Sequence, residues 1–139
     1  MAKNPIIRIT EAITHLDDID TQLGTGAKLK IYSDSPPASL TTAVTGLLVS
    51  MTAGASMFNA ASGAAGDSEA TMTIAATLSG TASATGTAAC FRLTKADNTE
   101  LFQGTVGTSD SDLVMLNTSI TNGETVEVDT LTLRKLTGD

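Results

Sequence analysis

The apolar periodicity of this chain changes once, across Gly24-Thr25-Gly26, and that change limits what it can fold into. Before it, Ile6, Ile9, Ile13, Leu16 and Leu23 recur at helical spacings, with Ile19 filling in. Such spacing lays one apolar stripe along a helix. Asn4 suits an N-cap and Pro5 the first helical position, where its missing N–H costs nothing. Gly24 suits the exit. The pattern therefore predicts an N-terminal amphipathic helix over residues 5–23. Such a helix usually covers its own domain, the alternative being a neighbouring subunit.

After Gly26 the period falls to two. In 28–32 lysines alternate with Leu29 and Ile31, which reads as a strand with one wet face. Ser33-Asp34-Ser35-Pro36-Pro37 reads as a turn or extended loop. Strands are expected at 47–52, around Met57-Phe58, and at 71–77. Residues 60–67 and 79–86 read as a loop and a turn region. In 89–93, Phe91 and Leu93 face one way and Arg92 the other. A hairpin turn follows at 95–99, then strands at 101–106, 113–116 and 125–133. The last is broken by a bulge or bend at Asp129-Thr130, and Asn122-Gly123 is a strong turn pair. About seven or eight short strands, with turn signals about every 8–12 residues, predict a mainly β fold. The expected architecture is an antiparallel β-sandwich, jelly-roll or Ig-like. It occupies 27–134 of a single domain covering 1–139, a length that supports one core.

Composition agrees with extended structure. Thr, Ala, Ser and Gly make up about half of the chain, and Thr favours strands through its β-branch. There is no Trp, one Tyr and three Phe. A core of Ala, Thr and Val would bury little area per residue, which fits either stability completed by neighbours or a thin two-sheet sandwich that is stable alone. The net charge is −7, and no Lys or Arg lies between Lys30 and Arg92. An acidic surface repels phosphate, so no nucleic-acid role is expected. The small-residue stretch 40–65 is interrupted by glycines and reads as strands and loops, so no membrane span is expected. The start of the chain lacks a signal-like apolar run. Cys90 is the single cysteine, which excludes an intrachain disulfide and fits a reducing cytosol.

The search for chemistry returns no constellation. His15 is the one histidine, so a two-histidine metal pair cannot form, and no base partner lies nearby. Cys90 sits in a predicted strand without a local base, which reads as a structural thiol. Asp110 and Asp112, like Asp67 and Glu69, stand two apart and could offer oxygen ligands. The full calcium-loop pattern is missing, and turn capping accounts for them. The chain has no phosphate-binding loop followed by Lys-Ser/Thr and no Gly-x-Ser-x-Gly turn. We expect no catalytic residue, no cofactor-binding residue and no metal ligand.

The run Gly86-Thr87-Ala88-Ala89-Cys90-Phe91-Arg92-Leu93, the hairpin after it, and Gly104-Thr105-Val106-Gly107-Thr108-Ser109-Asp110-Ser111-Asp112-Leu113 resemble small proteins encoded in tailed-phage genomes. So do the ending Asn117-Thr118-Ser119-Ile120-Thr121-Asn122-Gly123-Glu124-Thr125-Val126 and the early Leu29-Lys30-Ile31-Tyr32-Ser33 strand. Cys90 departs from that pattern, which has a larger aromatic there. The resemblance implies a small β-sandwich virion component, present in many copies and without catalytic residues. It implies a homo-oligomer with other virion proteins as partners, the major capsid protein first among them, assembled in the host cytoplasm. A capsid decoration or cement protein is the leading expectation, because an acidic domain without basic arms suits an outward position. The helix or the stretch 31–91 is expected at an interface. A neck or tail position is the alternative. A receptor- or carbohydrate-binding fibre module is poorly supported by an aromatic supply of Tyr32, Phe58, Phe91 and Phe102, mostly at core-like positions.

Overall fold

At the helix exit, Gly24 takes φ +68° and donates its N–H to Asp20 O at 3.1 Å. Gly26, at φ +75°, then bonds Gly54 O and turns the chain into the first strand. Positive φ is cheap only for glycine, which is why the pattern changes here. The structure is a computed structural model, and it describes residues 9–64 and 69–136. Asn4, Pro5 and Ile6 lie outside the described residues, as does Asp67.

Among the described residues there is one helix, α1 (Ile9–Leu23), and the fold is mainly β. The strands are β1 (Lys28–Tyr32), β2 (Leu47–Thr52), β3 (Glu69–Thr73), β4 (Leu78–Thr81), β5 (Gly86–Thr87) and β6 (Cys90–Thr94). They continue with β7 (Glu100–Gly107), β8 (Leu113–Val114), β9 (Ser119–Ile120), β10 (Thr125–Val128) and β11 (Thr132–Leu136). Among the described residues the count is eleven, not the expected seven or eight: β4 and the two-residue β5 and β9 are unexpected, 125–133 divides into two strands, and the strand expected around Met57-Phe58 is only an isolated bridge from Phe58 to Ile74.

The largest sheet has the order β2-β1-β6-β7-β8. β10 pairs β4, β11 pairs β3 and β5 pairs β9. All pairs are antiparallel except β7 with β8, where Val106 stands beside Leu113 in parallel register. The expectation of purely antiparallel pairing is corrected there: the chain loops back through Ser109 to Asp112 instead of making a hairpin.

Three further expectations change. Residues 79–86 are not all turn, because β4 starts at Leu78. Gly80 lets β4 lie against β2, where a Cβ would meet Ser50 O at 2.6 Å. The strand expected at 71–77 is β3, ending at Thr73, with Ile74 making only an isolated bridge to Phe58. The segment 125–133 is two strands in two sheets. Asp129-Thr130 is therefore a crossing point, not a bulge, and it carries the chain from β4's partner to β3's.

The helix packs on its own domain, against β3 and β11. Its buried line is Ala12, Leu16 and Leu23, with Ile13 and Ile19 partly buried beside it, so the stripe is centred nearer Ala12 than the isoleucines suggest. Two of its carboxylates hold the chain between β2 and β3. Asp20 accepts from Phe58 N and Ser56 Oγ, and Asp17 accepts from Ala61 N at 2.8 Å. The core is richer than the composition suggests. Its large fully buried members include Phe91, Leu29, Ile31, Met51, Met57 and Met72, whereas threonine stays outside it apart from Thr94. Flexible methionine fills gaps that scarce aromatics leave. Among the described residues no helix is long and apolar enough to cross a membrane.

Candidate interaction surface

The residues with chemical potential are kept apart by the fold. His15 is exposed on α1, which packs on β3 and β11. Cys90 is fully buried on β6, on the face of the large sheet turned away from Phe91 and Leu93. Burial pushes the Cys90 thiol up, with Arg92 opposing, so it is a poor nucleophile at neutral pH. The carboxylates have structural uses. Asp112 accepts from Thr105 N at 2.8 Å and from Thr105 Oγ1 at 3.0 Å, closing the loop between β7 and β8. Asp110 takes φ +48° in that loop. Glu69 faces Arg134 at 3.7 Å across β3 and β11. Among the described residues no three His, Cys, Asp or Glu side chains converge as a metal site would require.

Arg92 is placed as its alternation requires, opposite Phe91 and Leu93, yet it is only 2% exposed. The connection 33–46 folds over it. Arg92 Nη2 donates to Thr42 O at 2.6 Å, and Nε and Nη2 donate to Gln103 Oε1 at 3.3 and 3.2 Å. Gln103 Nε2 in turn donates to Pro37 O at 2.6 Å. No residue of 33–46 is itself buried, and these polar bonds tie the loop to the sheet beside the half-buried Pro36, Pro37, Leu40 and Val44. Sequence reading missed this, since the lid comes from another part of the chain. Tyr32, half-buried on the same face, has its hydroxyl pKa raised by burial.

The surface feature that stands out lies at the other edge of the sheet. Leu113 is buried, but Val114 is 54% exposed and Leu116 fully exposed, with Met115 half-buried between them. Two grooves flank this strip. One, of about 360 Å³, is bordered by Val114, Met115 and Leu116 and by the carboxylate-bearing Glu124, Glu127 and Asp129. The other, of about 560 Å³, opens between Phe91 and Phe102 on one side and Leu131 and Leu133 on the other. The signal in the sequence is the unbroken apolar run 113–116, which departs from strand alternation in a chain otherwise rich in Thr and Ser.

The lysines of β1 form a second feature. Leu29 and Ile31 point into the core, so Lys28 and Lys30 point out of the sheet. Their ammonium groups both donate to Asn98 Oδ1, at 3.2 and 2.8 Å. Asn98 holds φ +71° in the turn between β6 and β7. Nearby, Asp97 accepts from Thr99 N, and hydrogen bonds from Thr99 hold its carboxyl below the usual range.

Comparison with protein-family models finds no match, and comparisons with curated proteins and with solved structures find none.

Proposed function

We propose that this chain is a structural protein of a tailed-phage virion, a decoration or cement protein on the capsid exterior that works through subunit contacts and not through catalysis. The observation that carries this reading is the exposed strip at Val114 and Leu116. Leaving a leucine in water forgoes about 1.5–3 kcal/mol of burial, and an isolated domain gains nothing from that. The acidic surface suits a position away from packaged DNA, whose phosphates would repel it. The resemblance of 86–126 to small phage virion proteins points the same way. The finer architecture belongs to this reading as well. The inner face of the large sheet, with Phe91 and Phe102, lies across a groove from Leu131 and Leu133, an arrangement that supports two layers of a β-sandwich. Partners are further copies of the chain and the major capsid protein.

The test is reconstitution. Purified protein added to particles that lack it binds them and resists washing. Protein that stays wholly in solution under these conditions overturns the proposal.

A further inference from the structure

We infer that the groove beside Val114 and Leu116 receives the Lys28–Lys30 face of a second copy of this chain, in a head-to-tail contact. The inference rests on the reading that the chain acts through subunit contacts, and it names the surfaces and the partner.

The fold leaves charges on two surfaces without a partner of opposite sign among the described residues. Among the described residues the ion pairs are Arg92 with Glu100 and Arg134 with Glu69. Among these residues Lys28 and Lys30 have no carboxylate within ion-pair distance. Their two like charges converge on one neutral oxygen of Asn98, and an anion arriving there would relieve their repulsion. At the groove the situation is reversed. Glu124, Glu127 and Asp129 border it without an ion pair among the described residues, and the hydrogen bonds of Glu124 and Asp129 come from neutral donors, Thr121 N and Thr77 Oγ1. Glu127 stands between the buried Val126 and Val128, so its side chain projects outward.

A chain of net charge −7 repels its own copies on most approaches. The lysine pair of β1 offers one approach on which opposite charges can meet. The apolar parts match as well. Lysine stems are aliphatic and cover apolar surface while the ammonium reaches outward. The stems of Lys28 and Lys30 can thus lie on Leu116 and Val114 while their charges meet Glu127 and Asp129. The two patches belong to different places on the sheet, since β6 and β7 separate β1 from β8. Complementary patches at separate places make a heterologous contact, which propagates until it closes into a ring or continues as a lattice. The proposed interface thus lies on β1 and on the β8–β10 side.

The test uses two charge-reversal variants, K28E/K30E and E127K/D129K, with circular dichroism confirming that each keeps the wild-type fold. Sedimentation at low ionic strength reads self-association. The wild-type chain associates, and each variant alone associates at least about tenfold more weakly, because every contact then meets like charges. An equimolar mixture of the two variants regains association, since each supplies the face the other needs, and the four-fold variant K28E/K30E/E127K/D129K regains it alone. A wild-type chain that stays monomeric overturns the inference. So does an effect confined to E127K/D129K, which would mean groove-to-groove pairing, and so does a mixture that fails to recover. A monomer in solution that still binds particles overturns this inference alone. A self-associating chain that ignores particles overturns only the reading it rests on.

Discussion

Replacing Arg92 by methionine should loosen the loop 33–46 and expose the sheet face beneath it. Methionine keeps much of the stem volume but removes the donors to Thr42 O and Gln103 Oε1. Hydrogen bonds from a charged donor contribute about 1.5–3 kcal/mol each in net terms. The contact with Glu100 at 3.6 Å adds little, because that carboxylate is 43% exposed and water screens it. The freed carbonyls sit on a surface loop and can turn to water, so no full penalty for orphaned buried groups is added. The removal of a buried charge gives some return. A net loss of about 2–3 kcal/mol is expected, which moves a urea midpoint down by about 1 M at an ordinary slope. A second readout separates loop release from general weakening. Cys90 emerges on the same face as Arg92, is fully buried, and has its pKa raised by burial. Under native conditions its reaction with a thiol reagent should be slow in the wild-type chain and at least about tenfold faster in R92M, because opening now costs less. An unchanged midpoint together with unchanged thiol reactivity would refute the reasoning.

Other outcomes follow from the same contacts. Gly80→Ala should cost about 1–3 kcal/mol, since its Cβ would meet Ser50 O at 2.6 Å and a backbone oxygen cannot swing aside; thermal denaturation reads this. Asp20→Ala should cost about 1–2 kcal/mol by releasing Phe58 N and Ser56 Oγ, and should speed amide exchange at Phe58. Asp97→Ala should lower stability at neutral pH but not in acid. The carboxyl of Asp97 is held below its ordinary value, so its contribution is present above the unfolded pKa and is lost as pH falls through the folded one. Denaturation of both chains at pH 7 and pH 2 checks the sign.

Local pattern made part of this structure legible. The bounds of β1 follow from period-two alternation, which needs only neighbouring residues, and the turn at Asn98 from its chemistry. Gly24 marks the end of α1 for the same reason. What stayed hidden depends on distant partners. Arg92 carries no local sign that residues 37–42 will cover it. Thr125 to Leu133 reads as one broken strand because alternation cannot say that β10 and β11 join different sheets. The run 113–116 reads only as a short strand, and the fold is what shows that Leu113 turns inward while Val114 and Leu116 face solvent.

The central claim is that the chain is a many-copy component of a phage shell, and its copy number tests this most directly. Quantifying the chain against the major capsid protein in purified particles should give hundreds of copies, about the order of the shell protein itself, because a shell repeats each contact many times. A ratio far below about one in ten, down to a ring of about six or twelve copies, would contradict the decoration reading and point to the neck or tail.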